Sequence, residues 1–217
     1  MTLVKICGLK EPARIAQACE AGADFVGFVF FPPSRRNVTP HEAGELARHV
    51  TGQTRTVGLF VNPDDHLLEA VLMSVALDVI QLHGEEKPER VAEIGLRFGV
   101  ETLKALPVAV AEDLAVLPTY QEAADMLLFD AKALPGAAQP GGNGLAFDWR
   151  LLQGLEVGRP WLLAGGLSPD NVEAALAATG APGVDVSSGV EISPGVKDPA
   201  RLADFIAKAK GFGRNDR

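Results

Sequence analysis

The sequence predicts a (β/α)8 barrel that takes up residues 1–217 as one domain. Three observations carry that expectation. Eight short apolar runs recur at intervals of about 20–35 residues, the size of one strand–helix unit. Helical patterns fill the intervals between them. The competing architecture, a doubly wound open sheet, would use fewer strands and a Gly-rich turn after the first, yet only Gly8 follows Cys7 and there is no GxGxxG. At 217 residues the chain is near the lower limit for the barrel, so its loops must be tight.

The expected strands, in order, are LVKIC (3–7), FVGFVF (25–30), TVGLFV (56–61), VIQLH (79–83), VETLKAL (100–106), MLLFD (126–130), WLLAG (161–165) and GVDVS (183–187). All are rich in Val, Leu, Ile and Phe, which suit a strand buried on both faces. The first helix opens at Pro12, a good first-turn residue, and stops near Gly22. Thr39 before Pro40, Ser168 before Pro169 and Asp198 before Pro199 mark three more helix starts. The fifth helix falls within 111–124 and is interrupted by Pro118, and the sixth, near 148–154, is short. No domain linker is present. The one low-complexity stretch, LPGAAQPGGNG (134–144), reads either as a mobile flap or as a floppy insertion.

Composition narrows the function classes. Hydrophobic residues make up 47% and charged residues 22%, which excludes a disordered chain. No apolar run reaches the roughly 20 residues of a bilayer span, and MTLVKICGLK lacks the pattern of a secretory signal. A cytoplasmic address is therefore expected. The formal net charge of −8 argues against nucleic acid and anionic membranes as partners, because no concentrated basic patch offsets it. The pair Arg35-Arg36 is too small for a phosphodiester track but large enough to clamp one small anion. Two cysteines and four histidines at no metal-ligand spacing give neither a disulfide framework nor a zinc site. Oligomeric state is left open between a monomer and a homodimer.

Side chains alternate across a strand. Lys5 and Cys7 then share one face of the first strand, Gln81 and His83 of the fourth, Leu128 and Asp130 of the sixth, and Asp185 and Ser187 of the eighth. In a barrel this set faces inward. Cys7, His83, Asp130 and Ser187 sit at strand ends, and the C-terminal rim is where barrel enzymes hold their sites. Each has a bland alternative. Cys7 is either a small buried hydrophobe or a reactive thiol, His83 a satisfied rim histidine or a catalyst, and Asp130 a loop cap or an acid. Cys19, four residues after Ile15 on a helix, reads as core. The turns Ala164-Gly165-Gly166-Leu167 and Ser187-Ser188-Gly189-Val190 follow the seventh and eighth strands, where barrels commonly bind phosphate. Their alternative is a pair of ordinary tight turns.

The segments VKICGL (4–9), GADFVGFVFFPPSRR (22–36), VGLFVN (57–62), QLHG (81–84), LLFDA (127–131), GGNGLAFDW (141–149), AGGLSPDNV (164–172) and VDVSSGVE (184–191) resemble, in register, the phosphoribosylanthranilate isomerase family of tryptophan synthesis. The resemblance implies a (β/α)8 barrel with no metal or organic cofactor. It implies an Amadori rearrangement of a small phosphorylated anion, an aminoaldose becoming an aminoketose. By it, Cys7 matches a general base, Asp130 a general acid and Arg36 a residue at the anthranilate end. His83 lies at the rim, and Gly165, Gly166, Asp185, Ser187, Ser188 and Gly189 match the phosphate-holding region. Ala131 stands where a threonine often follows the aspartate, AGGL where SGGL also occurs, and Asn37 where an aromatic residue is common.

The chemistry asks for one acid and one base on opposite sides of a sugar. A free aspartate has a pKa of about 3.9 and a free thiol about 8.5. The acid must therefore be shifted up, and the base needs cationic neighbours; Lys5 on the same face is either such a neighbour or one half of a pair in the barrel core. Two alternatives remain. A histidine-pathway sugar-phosphate isomerase would have Asp at the end of the first strand, where Cys7 stands. A non-catalytic barrel binding a phosphorylated ligand would have no need of both Cys7 and Asp130.

Overall fold

The computed structural model describes residues 2–132 and 147–213. The 134–144 segment lies outside the described residues. Eight parallel strands close into a barrel in sequence order: β1 (Leu3–Cys7), β2 (Phe25–Phe30), β3 (Arg55–Phe60), β4 (Val79–Leu82), β5 (Glu101–Val108), β6 (Met126–Ala131), β7 (Trp161–Leu163) and β8 (Gly183–Val186). The helices are α1 (Pro12–Glu20), α2 (Pro40–Ala47), α3 (Asp65–Leu72), α4 (Pro88–Phe98), α5 (Leu117–Ala123), α6 (Val172–Thr179) and α7 (Pro199–Gly211). Among the described residues no helix is long and apolar enough to cross a membrane.

Side-chain caps set three of the helix starts. Thr39 and Glu42 form a reciprocal capping box at α2, and Asp64 and Asp198 accept the first N–H groups of α3 and α7. Three sequence expectations need correction. Pro118 does not interrupt the fifth helix: a 3-10 turn, Ala111–Val116, precedes it, and the proline sits in the first turn of α5, where its missing N–H costs nothing. The segment 148–154 contributes only a 3-10 turn, Trp149–Leu152. Ser168-Pro169 does not begin a helix. Asn171 Oδ1 accepts the Ser168 N–H at 2.8 Å, which closes a turn, and α6 starts at Val172. One element was not anticipated, an antiparallel hairpin of β9 (Glu191–Ser193) and β10 (Val196–Lys197) beyond β8.

Two apolar clusters follow from strand alternation. Ile6, Phe28, Phe60, Ile80, Leu127 and Val184 point outward into the layer covered by helices. Phe25, Val57, Val79, Leu103, Met126, Leu128 and Leu162 fill the barrel interior. Toward the C-terminal rim the interior becomes polar, beginning with the pair Lys5–Asp185, and the site lies on that layer.

At the opposite end the strands share one closing device. Asp24, Asp78 and Asp125 stand just before β2, β4 and β6, and each accepts a backbone N–H near the start of the preceding strand, from Val4, Thr56 and Thr102. Asp78 also accepts from Thr56 Oγ1 at 2.8 Å. Asp78→Ala leaves the buried Thr56 N–H without its acceptor and is expected to lower stability by about 1–2 kcal/mol. Urea unfolding measures this, and KM should not change because the residue is at the far end from the site.

Candidate active site

Cys7 ends β1 and is buried, with Gly27 beside it on β2. A Cβ at Gly27 would lie 3.3 Å from Cys7 Sγ and 3.4 Å from Lys5 Nζ, so the glycine leaves room for both groups. Lys5 Nζ donates to Asp185 Oδ1 at 2.9 Å across the β1–β8 seam. Burial alone would lower the Lys5 pKa, but Asp185 and Cys7 hold it charged and the net direction is up. Burial also pushes the Cys7 thiol up. Lys5, Lys197 and Arg36 pull it back down, but burial, with Asp185 on its side, outweighs them. The expected lowering by a cationic neighbour is therefore present and outmatched.

Arg36 lies on the loop after β2, with its side chain on Gly8. A Cβ there would meet Arg36 Cδ at 2.5 Å, and the φ of +74° suits glycine. The guanidinium forks onto Glu191, Nε to Oε1 at 2.8 Å and Nη2 to Oε2 at 2.9 Å, leaving Nη1 outside the pair. Burial would raise Glu191, but its bonds to Arg36 and Lys197 bring its pKa below the usual carboxylate range. Lys197 Nζ also donates to the Ser187 carbonyl at 3.0 Å and its hydroxyl at 3.3 Å, and Ser187 Oγ donates to the Cys7 carbonyl at 3.1 Å.

A second group forms from β4 and β6. His83, one residue past β4, has Nε2 at 3.2 Å from Asp130 Oδ2 and Nδ1 at 2.9 Å from the amide nitrogen of Gln81. With the amide donating, Nδ1 accepts and Nε2–H faces the carboxylate. Asp130 Oδ1 accepts the Ala131 N–H at 2.8 Å. Gly165 (φ +84°) lies against this carboxylate, a Cβ there falling 3.2 Å from Oδ1 and 2.7 Å from Ala131 N. Gly166 follows at φ +66°. The turns after β7 and β8 touch, since a Cβ on Gly189 would meet the Leu167 carbonyl at 1.8 Å, and Ser188 opens a 3-10 turn there. Glycine at such contacts lets backbone come close to an anion. Among the described residues no three His, Cys, Asp or Glu side chains gather as metal ligands would.

The model of the family described as N-(5'phosphoribosyl)anthranilate (PRA) isomerase matches residues 4–208. An N-(5'-phosphoribosyl)anthranilate isomerase of Paracoccus denitrificans is 61% identical over 206 residues, covering 95% of this chain and 96% of that protein. The chain belongs to the phosphoribosylanthranilate isomerase family. The fold agrees. A crystal structure of the Thermotoga maritima isomerase superposes with a TM-score of 0.87 at 36% identity, covering 98% of this chain and all of that one. Another isomerase structure, in complex with reduced 1-(o-carboxyphenylamino)-1-deoxyribulose 5-phosphate, gives 0.83 at 34% identity, covering 98% of this chain and 100% of that one.

Within this isomerase barrel, every candidate site residue read from the sequence lies at the C-terminal rim or just beneath it. Cys7, Arg36, Asp185 and Ser187 fall in one network, and His83 and Asp130 in another, with Gly165 beside the second. Sequence reasoning missed three members. Gln81 was read as inward-facing but given no role. Glu191 closes the VDVSSGVE segment and carried a signal that went unused, a lone carboxylate after a glycine turn. Lys197 had no signal, because its two-residue strand has no pattern to read.

Gly165→Ala forces a Cβ into the Ala131 N–H at a backbone angle that favours glycine, and so displaces the Asp130 carboxyl. A shift of that kind at the candidate site is expected to lower kcat about 10- to 100-fold. Steady-state kinetics beside a thermal unfolding scan separates this loss from a loss of folded protein.

Proposed function

We propose that Cys7 is the general base and Asp130 the general acid of the reaction this chain catalyses. That reaction is the family's: N-(5'-phosphoribosyl)anthranilate becomes 1-(2-carboxyphenylamino)-1-deoxyribulose 5-phosphate, an aldose-to-ketose isomerisation in tryptophan biosynthesis. The observation that carries the assignment is the division of the rim into two groups, a thiol among cations and a carboxyl held by an imidazole.

Asp130 in its acid form protonates the furanose ring oxygen, and the ring opens to an iminium ion. His83 Nε2, 3.2 Å from Oδ2, keeps the carboxyl aimed. Cys7 as thiolate takes the C2 proton, and the electron pair moves into the iminium to give an enolamine. Tautomerisation gives the ketone. The iminium is already an electron sink, so a base of thiolate strength suffices. Arg36, fixed by Glu191 with Nη1 left over, meets the anthranilate carboxylate, while Gly165, Gly166, Ser187, Ser188 and Gly189 hold the phosphate. With both anionic ends anchored, C1 and C2 lie between acid and base. The cytoplasm is the compartment this reading implies.

Loss of anthranilate-type fluorescence follows turnover directly. Cys7→Ala and Asp130→Asn should each lower kcat by about 100- to 10,000-fold while substrate affinity stays similar, and near-normal turnover in either removes that residue from its role. Arg36→Met should raise KM more than it lowers kcat; an unchanged KM takes Arg36 out of substrate binding.

A further inference from the structure

Four titratable side chains act on Cys7, namely Lys5 on β1, Asp185 on β8, Arg36 on the loop after β2 and Lys197 on the hairpin, and Glu191 on the hairpin holds the last two. From β2 the neighbour is Gly27, which carries no charge. Two cations have a carboxylate each, Lys5 with Asp185 at 2.9 Å and Arg36 with both oxygens of Glu191. Lys197 has none of its own. It shares Glu191 Oε1 at 2.8 Å with Arg36, and its other acceptors are the neutral carbonyl and hydroxyl of Ser187. Three acceptors for three ammonium protons fit the charged form. The cluster thus carries three cations against two anions. A surplus buried charge is costly, and one more anion would cancel it. Cys7 is the remaining group able to supply that anion.

We propose that Lys197 is a positioning residue for the base: its ammonium, brought under the rim by the β9–β10 hairpin, supplies the surplus positive charge that favours the Cys7 thiolate. Lys5 also draws the thiol down, but its charge is balanced by Asp185, whereas Lys197 has no carboxylate of its own. The hairpin is seated for this. Gly195 at its turn has φ +89°, and a Cβ there would lie 2.9 Å from the Arg35 carbonyl, so the hairpin packs directly on the loop that carries Arg36. Burial draws Lys197 down while it pushes Cys7 up, and Glu191 opposes the first shift. The proton affinities of thiol and amine therefore approach each other, and a charge added or removed here moves the thiol strongly.

The inference rests on Cys7 being the base, and its deciding test is a titration of the thiol rather than turnover. In a Cys19→Ala background, Cys7 is the sole thiol, and its ultraviolet thiolate absorbance is titrated against pH. Lys197→Met should move the midpoint up by about one pH unit or more, Glu191→Gln should move it down, and Lys197→Arg should stay near the parent. The same Lys197→Met protein should lose about 10-fold in kcat at neutral pH with KM little changed, and recover turnover as pH rises. A purely structural role would not give opposite shifts in the two charge variants. An unchanged midpoint in Lys197→Met, or shifts of the same sign in Lys197→Met and Glu191→Gln, overturns the proposal. Should Lys197→Met fail to fold, a Glu191→Gln midpoint at or above the parent overturns it alone. An active Cys7→Ala would sink the base assignment and leave this titration standing.

Discussion

Closure of the barrel between its first and last strands is the constraint on which the site depends. β1 and β8 are 180 residues apart in sequence at Lys5 and Asp185, and the two side chains meet inside the barrel at 2.9 Å. The register that pairs them also sets what stands two residues further along each strand. On β1 that residue is Cys7. On the β8 side it is Ser187, whose hydroxyl binds the Cys7 carbonyl. A one-residue slip would turn Cys7 outward under the helices and bring Ile6 or Gly8 into the interior. An ion pair buried this deeply contributes little net stability, but breaking either half strands a charge, so it serves to enforce one register.

Above that seam the rim divides by charge. On the β1–β8 side, Arg36 and Lys197 are tied through Glu191 to the segment that follows β8, near the Cys7 thiol and Lys5. On the β4–β6 side, Gln81, His83 and Asp130 form a chain that ends at a carboxyl. Glycine contacts join the halves, since the turn after β7 presses on Asp130 and the turn after β8 presses on the turn after β7. A buried lysine elsewhere serves the same end. Lys104 Nζ binds the Leu82 and Gly84 carbonyls on either side of His83, and also Glu86, which in turn accepts the Asn62 and Gly84 N–H groups. The rim is thus held by bonds that reach down into the strand layer, which fix the orientation of its side chains.

Much of this was legible in the sequence for a specific reason. Strand alternation is local, so Lys5, Cys7, Gln81, His83, Asp130, Asp185 and Ser187 could be placed on one face from their neighbours alone. Capping chemistry is local too, and Thr39 and Asp198 mark their helices correctly. What escaped depends on distance in sequence. Glu191 serves Arg36 from 155 residues away, and nothing near either residue announces the pair. Lys197 is reached through strands of three and two residues, too short for any periodicity. Pro118 misled because a proline in a first turn and one in a helix interior look alike until the start is known, and Ser168-Pro169 misled because an Asn171 side chain closes a turn where a helix was expected.

In the proposed mechanism the sulfur acts at C2 and the carboxyl at the ring oxygen on C1, from opposite sides of the sugar. A crystal structure of this protein with the reduced product analogue 1-(o-carboxyphenylamino)-1-deoxyribulose 5-phosphate tests it most directly. The expected result is Cys7 Sγ at about 3.5 Å from C2, Asp130 on the other face of the chain, and the phosphate between the turns after β7 and β8. Sulfur and carboxyl on the same face, or Sγ turned away from C2 toward Lys5 with the phosphate elsewhere, would contradict it.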